Sequence, residues 1–198
     1  MQFGVIKRIL KRIRPVVLSD ELVALLNSAR ERARSYSHDY VGVEHVFLSA
    51  WALPESHPAH RLIGALPVDV AAFISDLENS SRVVTGRPVP AFIPQTPRLQ
   101  RVLDLAKTWA RRGNHTEVRV VHFLGAVAWE RNSAVSHVLR KHLEKALDFG
   151  PAQAAAAYFA TLTSYPEARV FDIEEVPNPP PSTIAAVTPP AGQEAHQP

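Results

Sequence analysis

From Ser19 onward the apolar residues recur at helical spacing, with Leu22, Leu25, Leu26, Ala29 and Ala33 on one stripe. The stripe returns as Leu99, Val102, Leu103, Ala106 and Ala110. Each copy opens on a good N-cap, Ser19 or Thr96, whose side-chain oxygen can accept a backbone N–H that the first helical turn leaves unpaired. Asp20 and Glu21 suit the first turn of one copy, and Pro97 suits the first helical position of the other. After a short loop through His38 or His115, a second helix is predicted from about Glu44 to Trp51, and from about Val121 to Trp129. A third, shorter helix is expected over His60–Leu66 and His137–Leu143, and a fourth around Val70–Leu77 closes the first copy. The stretch Val83–Gln95, with Gly86, Pro88, Pro90 and Pro94, reads as the linker between copies. No segment alternates with a period of two except Val170–Val176, so the expected fold is all-α.

The repetition is exact in register. Shifting the chain by 77 residues aligns 19–66 with 96–143 without a gap, and 13 of the 48 positions are identical, where chance gives roughly three. The identities include Leu22/Leu99, Ala29/Ala106, Ala33/Ala110, His38/His115, Val43/Val120, His45/His122 and His60/His137. Two repeats of about four helices each, too thin to bury their stripes alone, should pack face to face about a pseudo-twofold axis. The paired alanines mark a place where two helices come close.

The boundaries follow from this pattern. Residues 1–17 form a basic amphipathic arm and residues 18–148 the repeated domain, with repeats at 18–78 and 96–148 and a linker at 79–95. Residues 149–176 are a mixed extension, and 177–198 hold seven prolines and almost no large apolar side chain, the composition of a disordered tail. The chain's net charge of +3 divides unevenly: residues 1–17 contribute +5 and the other 181 sum to −2, so the basic character is read as local. With no cysteine there is no disulfide, thiol nucleophile or zinc–cysteine site. No apolar run is long enough to span a bilayer and no secretory signal is legible, so a cytoplasmic protein is expected.

The run Ala33-Arg34-Ser35-Tyr36-Ser37-His38-Asp39-Tyr40-Val41-Gly42-Val43-Glu44-His45-Val46-Phe47-Leu48 resembles the signature of the Clp N-terminal domain. That signature joins an Ala-rich helix, a Gly-His-type loop and Val-Gly-Thr-Glu-His-Leu-Leu-Leu. Thr96-Pro97-Arg98, Gly113, His115 and His122-Phe123-Leu124 resemble the family's second repeat. The resemblance covers about residues 18–148 and implies the double Clp-N motif of ClpA-, ClpB- and ClpC-type unfoldases, a non-catalytic module that docks adaptors and substrates. No Gly-x-x-x-x-Gly-Lys-[Ser/Thr] occurs in the chain, and the residues after 148 are too few for an ATPase module. The expectation is therefore a free-standing N-domain without AAA+ modules rather than an unfoldase. The implied partners are Clp unfoldase or protease subunits, adaptors or clients; no cofactor is expected.

The resemblance places the binding site at Val41, Gly42, Val43, Glu44 and His45. In ClpC-type relatives the Glu of each repeat lies in a phosphoarginine-binding pocket, so phosphoarginine-bearing proteins are candidate partners. A carboxylate can pair with the guanidinium, and backbone N–H groups at a helix start can hold the phosphate. Val43 stands where the family has Thr, and the second copy has Arg119 for Gly and Val121 for Glu, so at most one pocket of the usual pair is expected. The plainer reading is that Glu44 favours a helix N-terminus. Of nine histidines six form three repeat-related pairs, 38/115, 45/122 and 60/137, which points to a structural role occurring twice rather than to a metal. No Gly-x-Ser-x-Gly or other catalytic motif appears, and no enzyme is expected. In the arm, Ile6, Ile9, Leu10 and Ile13 share a helical face ringed by Lys7, Arg8, Lys11, Arg12 and Arg14. Such an arm suits an anionic membrane, nucleic acid or an acidic partner, and equally an ordinary solvated helix. An accessory subunit of a Clp protease core is a further reading. Trp51, Trp109 and Trp129 fall on helices and read as core or inter-repeat packing, unless one lies exposed in a groove as a client anchor.

Overall fold

The computed structural model describes residues 15–82 and 89–147. The first copy holds β1 (Val17–Leu18), α1 (Asp20–Ser35), α2 (Val43–Trp51), α3 (Pro58–Gly64) and α4 (Val70–Ser81). The second holds α5 (Pro97–Arg112), β2 (Glu117–Val118), α6 (Val120–Trp129) and α7 (Ala134–Leu147). The fold is all-α. The first copy thus shows the four helices expected and the second shows three among the described residues; residues 1–14 of the arm, 83–88 of the linker, 148 onward of the second repeat, the extension and the tail lie outside them.

Both copies begin and end their first helix alike. Ser19 Oγ accepts from Leu22 N–H at 3.2 Å, and Thr96 Oγ1 accepts from Leu99 N–H at 3.1 Å. Each cap stabilises its helix by about 1 kcal/mol relative to alanine. At the far end Ser37 and Asn114, 77 residues apart, both take the left-handed conformation, with φ of 58° and 56°. This turn lets His38 N–H reach Ala33 C=O at 2.9 Å and Ser37 N–H reach Arg34 C=O at 2.9 Å. His115 and Asn114 make the same two bonds to Ala110 and Arg111, at 2.8 and 3.1 Å. The pattern is a Schellman stop, and it steers each histidine beneath its own helix.

Within each copy the first and second helices pack along the Leu/Ala stripe, and the alanine pair is fully enclosed. Between copies α4 lies on α7 and α3 on α6. Phe47, Phe73 and Phe123 are wholly buried, and Phe47 meets Phe73 edge to face with centroids 5.7 Å apart. Each such ring contributes on the order of 2–3 kcal/mol of burial.

Two details escape helical periodicity. The third helix of the second copy starts at Ala134 and runs to Leu147, longer than the His137–Leu143 expected, whereas α3 stops at Gly64. Gly64 and Pro67 break the first copy there; the matching positions are Lys141 and Glu144, which let a helix continue. The other detail is a pair of two-residue strands. β1 runs parallel to β2, with Leu18 opposite Val118, and Val41 forms an isolated bridge with Gln95. Adding 77 to Leu18 gives Gln95, and adding 77 to Val41 gives Val118, so the two pairings exchange under the pseudo-twofold. Ser19 N–H donates to Val118 C=O at 3.0 Å, and Thr96 N–H donates to Val41 C=O at 2.9 Å. Each copy thus anchors the cap residue of the other.

Candidate functional site at the start of α2

Gly42 is the N-cap of α2, and its extended backbone (φ −101°, ψ 176°) is open to any residue. A Cβ here would fall on the Glu44 carboxylate, so glycine is what lets that side chain fold back over the helix start, and a larger residue would turn the carboxylate away. Where the second copy has Arg119 in place of Gly42, it also has Val121 in place of Glu44. The two exchanges belong together, because a folded-back carboxylate and an N-cap side chain compete for one volume.

His45, three residues after the cap, secures this turn. Gly42 N–H donates to His45 Nδ1 at 2.9 Å, and Arg119 N–H donates to His122 Nδ1 at 2.9 Å. An accepting Nδ1 fixes the neutral tautomer with the proton on Nε2. In the first copy that Nε2–H donates to His38 Nδ1 at 2.8 Å. The counterpart rings, His115 and His122, also meet edge to face, with centroids 5.1 Å apart. Burial first, then the neighbouring His38 and Arg32, pushes the His45 pKa down to about 3. Burial, with His115 and Arg119 adding to it, brings His122 down to about 4. Although Glu44 Oε1 lies 3.4 Å from His45 Nδ1, no ion pair exists, since that nitrogen carries no proton.

Glu44 itself is 13% exposed. Burial raises its pKa, opposed by its own backbone N–H and by the nearby His38 and Arg98. Tyr40 stacks on His38, the rings 15° from parallel with centroids 5.1 Å apart; burial and then the Glu44 and Asp39 charges raise the pKa of its hydroxyl. Tyr40, Gly42, Val43 and Glu44 form one wall of a cleft of about 310 Å³. The opposite wall comes from Thr96 and Arg98 at the start of α5, with Ser80, Ser81 and Ala134. A poorly hydrated carboxylate and a guanidinium therefore face one cleft between the copies, the carboxylate suited to a cation and the guanidinium to an anion.

Of the five residues singled out from sequence, Gly42, Val43 and Glu44 line this cleft. Val41 and His45 are enclosed, the first bridging to Gln95 and the second holding the turn. Arg98, Ser80 and Ser81 come from other segments and carry no motif that points to them; Tyr40 lies next to Val41 in the signature run, and only the fold shows that it lines the cleft. Lys7, Arg8, Lys11, Arg12 and Arg14 lie outside the described residues. Among the described residues no group of three or more His, Cys, Asp or Glu is arranged to hold a metal, and no helix is long and apolar enough to cross a membrane.

Comparison with known proteins agrees with this architecture. A protein solved in a study of a malarial protein secretion system superposes with a TM-score of 0.57 at 16% identity, covering 77% of this chain and 99% of that one. The N-terminal domain of the caseinolytic protease-associated chaperone ClpD from Arabidopsis thaliana superposes with a TM-score of 0.50 at 14% identity, covering 74% of this chain and 94% of that one. At such identities the likeness is one of fold. Residues 17–142 match the Clp repeat (R) N-terminal domain, and the chain belongs to that family.

Proposed function

We propose that the double repeat is a non-catalytic docking module that recruits adaptors or clients to a Clp-type system, with the cleft at the start of α2 as its ligand site. The observation that carries this reading is the Glu44 carboxylate, mostly withdrawn from water and facing the same cleft as Arg98. A ligand bearing both a guanidinium and a phosphate would answer the Glu44 charge and share Arg98 with Glu130, its ion-pair partner at 3.8 Å, and a phosphoarginine side chain has that chemistry. Only the first copy carries Gly and Glu together, so the stoichiometry is one ligand per chain.

Calorimetric titration with phosphoarginine tests it. Wild type should bind at a single site, and Glu44→Ala and Arg98→Ala should each weaken binding by about tenfold or more. Equal, weak binding by all three proteins would sink the cleft reading. A lysate pull-down enriching no Clp subunit, adaptor or unfolded client would count against docking itself.

A further inference from the structure

The small sum of charge over residues 18–198 conceals a division between the copies. Residues 15–82 hold five Arg and Lys against nine Asp and Glu, whereas residues 89–147 hold ten against four. The pseudo-twofold therefore relates an acidic half to a basic one. Cations of the first copy are engaged: Arg32 and Arg82 pair with Glu78, Arg34 pairs with Glu31, and Arg30 bonds Asn27. In the second copy Arg101, Arg111, Arg112, Arg119 and Arg131 are exposed, and none forms an ion pair with a described residue.

A second contrast falls on the same half. In the first copy, Arg32, Ala52 and several serines line an open polar groove of about 440 Å³ between α1 and α2. Moving 77 residues along replaces Arg32 by Trp109 and Ala52 by Trp129. These two indoles, each partly exposed, meet edge to face with centroids 6.5 Å apart, and Leu105 is partly exposed beside the core. Arg112 lies one turn of α5 from Trp109. Tryptophan and arginine side by side at a partly exposed position are the residues that dominate protein interfaces.

We infer that the α5–α6 face is a second docking surface, whose partner is an acidic polypeptide segment with an aliphatic or aromatic anchor. The exposed arginines supply long-range attraction and register, and Trp109 and Trp129 supply the apolar contact. Nucleic acid fits less well. The indoles pack against each other rather than standing apart as platforms for bases, and the exposed Asp104, one turn of α5 from Arg101 and paired with Lys107, lies where phosphates would meet it.

The test uses the full chain and a short fluorescein-labelled peptide alternating Asp and Glu with Leu and Phe, read by anisotropy. Binding should weaken about tenfold between about 0.05 and about 0.5 M salt. The double variant Arg101→Glu, Arg112→Glu should weaken it at least tenfold with an unchanged circular dichroism spectrum, since both side chains are exposed. In a Trp51→Phe background, peptide should shift the emission of the two remaining tryptophans to the blue, a readout that needs no substitution in the face itself. Glu44→Ala should bind the peptide as wild type does, which separates this surface from the cleft. Unchanged affinity in the folded double variant, equal binding of a Lys-for-Asp/Glu peptide, or displacement by single-stranded DNA that binds more tightly would each overturn the inference.

Discussion

The two copies agree at the caps and turns that frame their first two helices and differ at the start of the second helix and on the faces beside it. Ser19 and Thr96 cap, Ser37 and Asn114 turn left-handed, and His45 and His122 hold the next helix start with bonds of the same length. Around that common frame the first copy keeps Gly42 and Glu44 while the second has Arg119 and Val121, and Arg32 becomes Trp109. A duplicated fold can hold its skeleton twice and specialise each surface once, because exposed positions cost little to change and buried polar ones cost much.

The largest test of this contrast is acid. With folded pKa values of about 3 and about 4, His45 and His122 stay neutral in the native state after the unfolded chain has begun to take up protons near pH 6.5. Stability is therefore lost as the pH falls from 6.5 toward 4, by on the order of 4 kcal/mol for the pair at pH 5. Glu44, whose pKa is raised, opposes this in part, because protonating it relieves a buried charge as the pH falls. Urea midpoints at pH 7 and pH 5 measure the effect; coincident midpoints would deny that both histidines are held neutral.

Removing one histidine at a time sharpens the comparison. His45→Leu strands Gly42 N–H and deprives His38 of its partner, and should cost roughly 3 kcal/mol. His122 Nε2 has no hydrogen-bond partner among the described residues, so His122→Leu strands only Arg119 N–H and should cost roughly half as much. Equal losses in urea unfolding would mean that the two histidine pairs are energetically alike.

Transplanting the second copy's choice into the first should break the site and then restore the fold. Gly42→Arg displaces the Glu44 carboxylate from the helix start and should cost about 1 kcal/mol. Adding Glu44→Val should recover most of that stability without recovering phosphoarginine binding. If the double variant were no more stable than Gly42→Arg alone, the two positions would not share a volume. The smallest effect concerns the left-handed turns. Ser37→Gly should stabilise by about 0.5–1 kcal/mol, and Asn114→Gly by less, because asparagine tolerates that conformation better than serine. Thermal midpoints rank the pair.

Helix starts, apolar stripes and the repeat were legible in the sequence because they rest on local spacing. The Schellman turns were not, since neither Ser37 nor Asn114 is the glycine that announces one. Two-residue strands are too short for alternation to register. Glu44 stood out through a motif, but the guanidinium facing its cleft comes from the other copy, and a linear reading gives no reason to join residues 44 and 98. Averaging charge over 181 residues likewise hid the opposed halves, which only the repeat boundary reveals.

The exchanged strand pairings have one more consequence. Ser19 is anchored by Val118 and Thr96 by Val41, so neither half satisfies its own first cap residue. Two identical chains, each carrying one repeat, could close the same contacts across a true twofold axis, every bond made twice. Fusing them frees the two sides from having to match. An asymmetric charge and a one-sided cleft are arrangements that a symmetric dimer of a single sequence could never present.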